Sequence, residues 1–297
     1  MTRRTVTPVK LGSLTFGTGP IYIQSMLNVP STDISGSVAQ AVALEEAGCE
    51  IIRAAIPNQE AVALIPAIKD KVKAPLVADI HFDYRLALEA LEAGVDKIRI
   101  NPGNIGDEDR IHAVAKACAN RNVPIRIGVN GGSLEKHILA KYGAPTADAL
   151  VESGLYNAKL LEKFDFHQIV ISLKSSNVQT MIEAYRKLAA CCDYPLHLGV
   201  TEAGTERMGL IKSAVGIGSL LADGIGDTIR VSLTADPVRE VAAARDILKA
   251  LDLYPDAPQI ISCPTCGRTR INLIELANQV EERLASVKKP IRVAVMG

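Results

Sequence analysis

Three short segments of the sequence alternate aliphatic residues with arginines, amides and hydroxyls. Residues 97–101, 125–130 and 228–234 each place apolar side chains on one parity and polar side chains on the other, which is the period of a β-strand. Helix-like segments bound each of them, so the polar parities are expected to face one common interior. Because burying a cation costs several kcal/mol unless an anion meets it, the recurring arginines predict a site for an anionic ligand.

A Cys-Pro-Thr-Cys motif, with thiols at Cys263 and Cys266, is the second candidate for chemistry. In a reducing compartment, two cysteines at this spacing more often form a metal or redox centre than a structural disulfide. Two thiolates do not complete a four-ligand zinc or iron–sulfur site. The remaining cysteines fall in or near predicted helices and are expected to be small buried hydrophobes: Cys49, Cys118, Cys191 and Cys192.

The elements that must position these residues alternate along the chain. Eight strands are predicted at residues 21–25, 50–54, 76–79, 97–101, 125–129, 168–172, 196–200 and 228–232. A helix is predicted after each strand, at residues 37–47, 59–72, 84–93, 107–120, 147–164, 178–190, 207–222 and 237–251. Eight such units predict an α/β fold, a (β/α)8 TIM barrel. The alternative, an open doubly wound sheet, is disfavoured because no Gly-x-Gly-x-x-Gly follows the first strand.

The segments that flank the barrel pattern complete the predicted domain organisation. Residues 5–16 predict a hairpin that covers one end of the barrel, inside a first domain of residues 1–254. Residues 255–262 predict a linker. The C-terminal segment, residues 263–297, contains one predicted helix and one predicted strand and is small for an independent domain.

Strand parity identifies the residues that would fill the barrel. Most of the inward positions lie near the C-terminal ends of strands, where barrel active sites are built. Arginine's planar fork suits a phosphate, and several forks suit a diphosphate. A purely structural network, with the cations paired to Asp79 and Glu202, is the alternative. The inward polar set is Gln24, Arg53, Asp79, His81, Arg99, Asn101, Arg126, Gly128, Asn130, Ser172, Lys174, His197, Gly199, Thr201, Arg230, Ser232 and Thr234.

Composition excludes several classes of partner. The 33 basic and 33 acidic residues cancel, which argues against nucleic acid or an anionic membrane surface. No segment approaches the roughly 18 uncharged apolar residues of a membrane helix, and the polar N-terminal residues lack a signal-peptide hydrophobic region. We therefore expect a cytoplasmic protein with neither a membrane nor a nucleic-acid partner.

Seven motifs, in order along the whole chain, resemble the bacterial 4-hydroxy-3-methylbut-2-enyl diphosphate synthases, the iron–sulfur enzymes of the non-mevalonate isoprenoid pathway. They are Gln24-Ser25-Met26, Ala78-Asp79-Ile80-His81-Phe82, the segment from Lys97 to Asn104, the segment from Arg126 to Ser133, Ser172-Leu173-Lys174, Thr201-Glu202-Ala203-Gly204 and the segment from Cys263 to Arg268.

This resemblance implies an oxidoreductase with two parts. The barrel would bind 2-C-methyl-D-erythritol 2,4-cyclodiphosphate, and a C-terminal domain would carry a [4Fe–4S] cluster. The reaction implied is a two-electron reductive opening of the cyclic diphosphate with loss of water. Flavodoxin or ferredoxin would supply the electrons, and two subunits would form a head-to-tail homodimer.

The resemblance also implies roles for single residues. Glu202 would be catalytic, placed near the hydroxyl that leaves the substrate, and Cys263 and Cys266 would be the first two cluster ligands. In the family a third cysteine and a glutamate follow directly after Met-Gly, where this chain ends at Gly297. We therefore expect a truncated chain with an incomplete iron–sulfur domain, which binds substrate but is inactive. The substrate-binding residues implied are Arg53, Asp79, His81, Arg99, Asn101, Arg126, Asn130, Ser133, Lys174, Thr201, Arg230 and Ser232.

Four other functions remain open on the residues alone. Lys174 at a strand end would suit the Schiff-base lysine of a barrel aldolase. A pterin-binding barrel would use the same anion site but leaves the cysteine motif unexplained. A phosphometabolite-binding module could form a zinc knuckle from Cys263 and Cys266 of two chains, and the same pair would also suit a dithiol switch.

Overall fold

An antiparallel hairpin precedes the barrel, as the sequence predicts. Strands β1 (Val9–Leu11) and β2 (Leu14–Phe16) pair with each other in the computed structural model, which describes residues 2–254, 257–287 and 289–297. Gly12 takes a positive φ of 57° in the turn between them, a conformation that costs glycine little. The turn therefore fixes the register that turns Val9, Leu11 and Phe16 inward.

Eight parallel strands follow in chain order, one in each predicted strand segment. Their central residues are aliphatic on one parity because that parity packs against the surrounding helices. The two last strands are shorter than predicted, since they end at Leu198 and Ile229. The strands are β3 (Tyr22–Met26), β4 (Ile51–Ala55), β5 (Leu76–Asp79), β6 (Lys97–Ile100), β7 (Ile125–Asn130), β8 (Ile169–Lys174), β9 (His197–Leu198) and β10 (Thr228–Ile229).

The strands close into a barrel. Hydrogen bonding runs from β8 through β7, β6, β5, β4 and β3 to β10 and then β9. A parallel bridge between Ile171 and Leu196 joins β8 to the residue before β9, and the amide of Ile171 donates to the carbonyl of Pro195 at 3.0 Å. The TIM barrel predicted from the strand–helix alternation is confirmed, and the open doubly wound sheet is wrong.

Helices cover the outside of the barrel. Most begin at Asp, Asn or Thr side chains that cap a free backbone amide, as Asp83 does for Arg85. The helix predicted at residues 59–72 is shorter, because Pro66 cannot donate a backbone hydrogen bond and a 3-10 turn, Glu60–Ala63, replaces its first part. The helices are α1 (Ile34–Glu46), α2 (Leu64–Lys69), α3 (Tyr84–Glu92), α4 (Glu108–Arg121), α5 (Lys136–Tyr142), α6 (Ala147–Glu162), α7 (Val178–Cys191), α8 (Glu206–Ala222) and α9 (Pro237–Ala250).

The hairpin closes the N-terminal end of the barrel. Val9, Leu11 and Phe16 are fully buried and pack against residues at the starts of four barrel strands. This apolar plug excludes water from that end, so a ligand can reach the interior only from the C-terminal ends of the strands. The strand residues in the plug are Tyr22, Ile51, Val77 and Val170.

A second compact unit begins at Leu248, after a first unit that extends to Ile247. It contains β11 (Gln259–Ser262) and β12 (Arg292–Val295), which pair in parallel, and α10 (Leu273–Leu284). The predicted linker, residues 255–262, thus differs from the structure: its last four residues form β11. Local sequence did not reveal this strand because its partner lies about thirty residues away. Pro255 and Asp256 of the predicted linker lie outside the described residues.

Candidate functional site

Arginine side chains fill the middle of the barrel. Arg53 on β4, Arg99 on β6 and Arg126 on β7 expose 3%, 5% and 0% of their surface. Strand register places Arg99 beside Arg126. Lys97, two residues before Arg99 on β6, is also fully buried. It is absent from the predicted inward set, although its parity matches that of Arg99 and points to the same interior.

Asp79 holds two of these arginines. One carboxylate oxygen accepts a hydrogen bond from Arg53 Nη2 at 2.6 Å, and the other accepts one from Arg99 Nη1 at 2.9 Å. His81 Nε2 lies 3.3 Å from the same carboxylate. Burial acts to raise the pKa of Asp79, but Arg53, His81 and Arg99 outweigh it and hold that pKa well below its ordinary value. Asp79 therefore stays ionised and fixes both guanidinium groups.

Gly128 makes room for the Arg99 guanidinium. Arg99 Nη2 donates to the carbonyl oxygen of Gly128 at 3.0 Å. A Cβ atom at this position would lie 2.2 Å from Arg99 Nε, closer than such atoms ever approach. The inward parity of β7 therefore requires glycine here, and the close contact keeps Arg99 pointed across the barrel.

Arg126 and Lys97 have cationic groups without an anionic partner. All three guanidinium nitrogens of Arg126 and the Nζ of Lys97 are buried and make no hydrogen bond within residues 2–254, 257–287 and 289–297. Lys97 Nζ lies 4.6 Å from the centre of the Phe16 ring, a cation–π contact with the plug. Burial and the neighbouring arginines lower the pKa of Arg126 and of Lys97 well below their ordinary values. An anion entering here would relieve this strain.

A small pocket, with about 30 Å³ of free volume, opens beside this interior and includes Arg53 in its lining. It lies at the C-terminal ends of β8, β9 and β10, the end of the barrel that the hairpin leaves open. Burial, followed by Arg53, lowers the pKa of Arg230 to about 10, while Glu240 on α9 acts in the opposite direction. The pocket is lined by Arg53, Ser172, Lys174, Tyr185, His197, Gly199, Val200, Thr201, Arg230 and Ser232.

Glu240 is a functional candidate that the sequence did not single out. Only 5% exposed, it accepts a hydrogen bond from the Leu233 amide at 2.8 Å and lies 3.8 Å from Arg230 Nη2. Ser25 Oγ lies 3.4 Å from its second oxygen. Glu240 therefore anchors both Arg230 and the loop after β10. In the sequence, a single buried glutamate in a helix cannot be distinguished from a solvent-exposed glutamate.

Other predicted site residues lie at the mouth of the barrel. Asn101 is buried, and its side-chain amide group makes no hydrogen bond to any described residue. Asn130, the last residue of β7, and Ser133, in the turn after it, are half-buried, and Asn130 Oδ1 accepts from the Gly132 amide at 3.3 Å. His81 is exposed although its ring contacts Asp79. The structure thus brings together Arg53, Arg99, Arg126, Arg230, Lys174, Thr201 and Ser232. Asn101, Asn130, Ser133 and His81 lie around this group.

Glu202 is not brought into the cation cluster. It is exposed, has a positive φ of 50°, and lies within salt-bridge distance of no basic side chain in the described part of the chain. The structural network predicted as an alternative, with Asp79 and Glu202 both neutralising the arginines, is therefore wrong for Glu202. Its exposure follows from the left-handed backbone, which turns the side chain away from the inward parity of β9.

The cysteine pair lies in the second unit, at the end of β11. The Cys263 amide donates to the Val295 carbonyl at 3.0 Å, so parallel pairing places the end of β12 beside the Cys263–Cys266 loop. Hydrogen bonds from Arg268, followed by Thr269, lower the pKa of Cys266, which favours the thiolate that binds metals. Within the described ranges, no third His, Cys, Asp or Glu joins them to form a metal-binding group. The pair alone does not fit a complete four-ligand cluster.

The other four cysteines follow the prediction in part. Cys49 and Cys118 are buried, and burial raises the pKa of Cys49 to about 12, which makes it an unreactive apolar side chain. Cys192 is half-buried and Cys191 is exposed, because α7 ends at this point and turns its last residues outward. The prediction of buried thiols is wrong for Cys191.

Two family models match the sequence: the GcpE TIM-barrel domain over residues 6–245 and the GcpE protein C-terminal domain over residues 259–297. The chain belongs to the GcpE family. Curated relatives carry the name 4-hydroxy-3-methylbut-2-en-1-yl diphosphate synthase (flavodoxin), as the motif resemblance predicted. One from Geobacillus thermodenitrificans is 58% identical over 291 residues, which cover 98% of this chain and 78% of the relative. One from Clostridium perfringens is 58% identical over 298 residues, which cover 100% of this chain and 85% of the relative.

Solved structures of dihydropteroate synthases share the barrel fold. The enzyme from Stenotrophomonas maltophilia aligns with a TM-score of 0.60 at 16% identity, covering 82% of this chain and 97% of the other. The enzyme from Yersinia pestis aligns with a TM-score of 0.59 at 14% identity, covering 84% and 99%. Identities this low establish likeness of fold alone. None of the described helices is long and apolar enough to cross a bilayer.

Proposed function

We propose that the GcpE-family barrel described above binds 2-C-methyl-D-erythritol 2,4-cyclodiphosphate, the substrate of a 4-hydroxy-3-methylbut-2-enyl diphosphate synthase. The observation that carries this proposal is the Arg126 guanidinium, fully buried beside Arg53 and Arg99 without an anion among the described residues. A diphosphate supplies the missing charge, and the names of close relatives specify which diphosphate their enzymes produce.

The side chains around the pocket divide into three roles. Arg53, Arg99, Arg126, Lys174 and Arg230 would bind the two phosphates through charge-assisted hydrogen bonds. Asp79 would hold Arg53 and Arg99 in position rather than contact an anion, because its two oxygens already accept from them. Glu202 would hold the substrate hydroxyl that leaves, or relay a proton to it. Orientation of the sugar carbons would come from His81, Asn101, Asn130, Ser133, Thr201 and Ser232.

The [4Fe–4S] cluster that the family implies would be bound in part by Cys263 and Cys266, and it supplies electrons that flavodoxin or ferredoxin delivers. Two thiols are half of the ligand set that such a cluster needs. We therefore expect that a polypeptide of these 297 residues binds the substrate but holds no stable cluster and shows little or no turnover. Anaerobic reconstitution followed by iron and sulfide analysis checks this; a stoichiometric cubane with activity would reject it.

Calorimetric titration with the cyclic diphosphate under reducing conditions separates recognition from redox chemistry. Arg230→Ala should weaken binding by about 2–5 kcal/mol, because it removes a desolvated charge from the pocket. Cys263→Ser should bind like the unchanged protein, since the thiol belongs to the second unit. Loss of binding in Cys263→Ser together with full binding in Arg230→Ala would contradict the proposed substrate site.

The homodimer implied by the family has a candidate surface on α8. Met208, Ile211, Val215, Gly218 and Ala222 follow the three- and four-residue spacing of a coiled-coil seam, and the three large ones expose 46–51% of their surface. A helix that is apolar on its outer face as well as its inner face is expected to be buried on both.

The seam is complementary to itself when two copies of α8 run antiparallel. A two-fold axis at Val215 places Met208 opposite Ala222 and Ile211 near Gly218, so large residues meet small ones. The same axis places Arg207 of one copy opposite Asp223 of the other. We therefore propose that a second copy of this chain covers the seam.

Light scattering tests this dimer. Ile211→Lys at micromolar concentration should give the mass of one chain, because it places a charge within the apolar seam, whereas the unchanged protein should give the mass of two. Ala242→Lys, an exposed position on α9, is the matched control and should leave the dimer intact. A dimer that survives Ile211→Lys would place the interface elsewhere.

A further inference from the structure

The barrel interior holds more basic groups than it can neutralise. Six basic side chains face it, and the only carboxylates that pair with them in the described ranges are Asp79 and Glu240. Asp79 already forms salt bridges with two arginines, Arg53 and Arg99, and Glu240 lies 3.8 Å from Arg230. The basic side chains are Arg53, Lys97, Arg99, Arg126, Lys174 and Arg230.

Mutual repulsion among these groups is relieved most easily by losing a proton from lysine. Arginine holds its proton because its ordinary pKa exceeds about 12, whereas the amine of lysine is more readily neutralised in a dry site. Lys97 lies against Phe16 and does not line the open pocket. Lys174 lines the open pocket, and no carboxylate in the described part of the chain lies within salt-bridge distance of its Nζ.

Positively charged side chains predominate around Lys174. From the strands, Arg53, Arg99 and Arg126 act on it, and Asp79 acts in the opposite direction. Burial first, and then these arginines, lower the pKa of Lys174 to about 6. The other neighbours in the pocket are Tyr185 from α7, His197 from β9 and Arg230 after β10.

His197 does not compete for the proton. Burial and four surrounding cations, of which Arg126 and Lys97 act most strongly, lower its pKa well below the ordinary value of 6.5. Its Nδ1 lies 2.7 Å from Thr228 Oγ1, which satisfies the neutral ring. Tyr185 is also neutral, because burial raises its pKa. Lys174 is therefore the accessible group in the pocket whose charge can respond to a ligand.

We propose that binding of a dianion in the barrel is coupled to the uptake of one proton from solvent by the neutral Nζ amine of Lys174. The anion replaces repulsion by attraction at Lys174, so the ammonium form becomes the stable one once the ligand is bound. The bound complex then gains a charge-assisted donor that the free site lacks. This inference rests on the proposed function in requiring that the barrel take up a dianion, and it adds how the site matches its charge to that ligand.

The coupling has a defined pH dependence. Below pH 6 Lys174 is already protonated in the free protein, so affinity no longer changes on its account. Above pH 6 the free amine is neutral and each binding event must draw a proton, which weakens affinity by about tenfold per pH unit until the pKa of the complex is reached. A ligand of fixed charge is needed to observe this, and the cyclic diphosphate and sulfate both keep their charge in this range.

Calorimetry in two buffers of different ionisation enthalpy measures the protons taken up on binding. At pH 7.5 we expect about one proton per cyclic diphosphate, and a similar uptake with the weaker ligand sulfate. Lys174→Arg keeps a cation that does not titrate, so it should bind with almost no proton uptake and with affinity independent of pH above 6. Lys116→Arg, exposed on α4, is the matched control and should behave like the unchanged protein.

The possible outcomes separate this inference from the proposed function. Cyclic diphosphate binding without proton uptake, or with the same uptake in Lys174→Arg, overturns the role of Lys174 and leaves the substrate site standing. Failure of both ligands to bind the unchanged protein overturns both. Should Lys174→Arg not fold, Lys174→Met serves instead, and it should bind more weakly and without proton uptake.

Discussion

Replacing Arg126 by methionine is expected to stabilise the ligand-free protein and, in the same variant, to abolish tight binding of the cyclic diphosphate. The guanidinium is fully buried and has no hydrogen-bond partner among the described residues, so it destabilises the fold when no anion is bound. Exchanging buried charges for an apolar side chain of similar volume typically adds about 1–4 kcal/mol to the free energy of unfolding. Thermal denaturation should therefore show a melting temperature several degrees higher.

Binding should change in the opposite direction. Loss of a desolvated charge that meets the ligand costs about 2–5 kcal/mol, a fall in affinity of roughly 30-fold or more. The control is Arg186→Met, where an exposed arginine pairs with Asp223 at 2.8 Å; both stability and affinity should there remain nearly unchanged. If Arg126→Met melted at a lower temperature and bound the ligand normally, Arg126 would be a structural residue and not an anion ligand.

Replacing Asp79 by asparagine should have the largest destabilising effect. The change preserves shape but removes the charge that Arg53 and Arg99 share at 2.6 and 2.9 Å. Both arginines would then be buried without a counter-ion, which costs about 3–5 kcal/mol. Chemical denaturation at neutral pH measures this loss directly.

The pH dependence of that loss follows from the pKa of Asp79. Arg53, His81 and Arg99 hold its pKa in the folded protein well below the ordinary value of 3.8. The carboxylate therefore contributes its full stability above about pH 4, and the contribution disappears as the pH falls through that range towards the folded-state pKa. The difference between Asp79→Asn and the unchanged protein should shrink in acid. Asp148→Asn, in the exposed pair with Lys187, is the control and should cost less than about 1 kcal/mol at any pH.

Strand parity was enough to predict the barrel and its cationic interior. Every predicted strand segment overlaps an observed strand, because residues such as Ile98 and Ile100 alternate with Lys97 and Arg99 at the two-residue period of a strand. The inward direction of Arg53, Arg99 and Arg126 follows from the same period of two.

The alternation of residues along a strand does not predict which distant residues pair with each other. The sequence shows that Asp79 lies on the inward parity, but its bonds to Arg53 and Arg99 depend on how far the strands are staggered. The same limit explains why the local sequence predicts a linker where β11 forms, and why it gives no functional signal for Glu240, on a helix behind the pocket. Residues 201–204 show a further limit, since the positive φ of Glu202 depends on the loop and not on the strand before it.

Crystallography of the protein with bound cyclic diphosphate tests the central claim most directly. The account predicts that both phosphorus atoms lie inside the barrel, with phosphate oxygens at hydrogen-bond distance from the Arg126 guanidinium and from Lys174 or Arg230. Phosphates found outside the barrel, with Arg126 still unpartnered, would contradict it and leave the buried cations without an explanation.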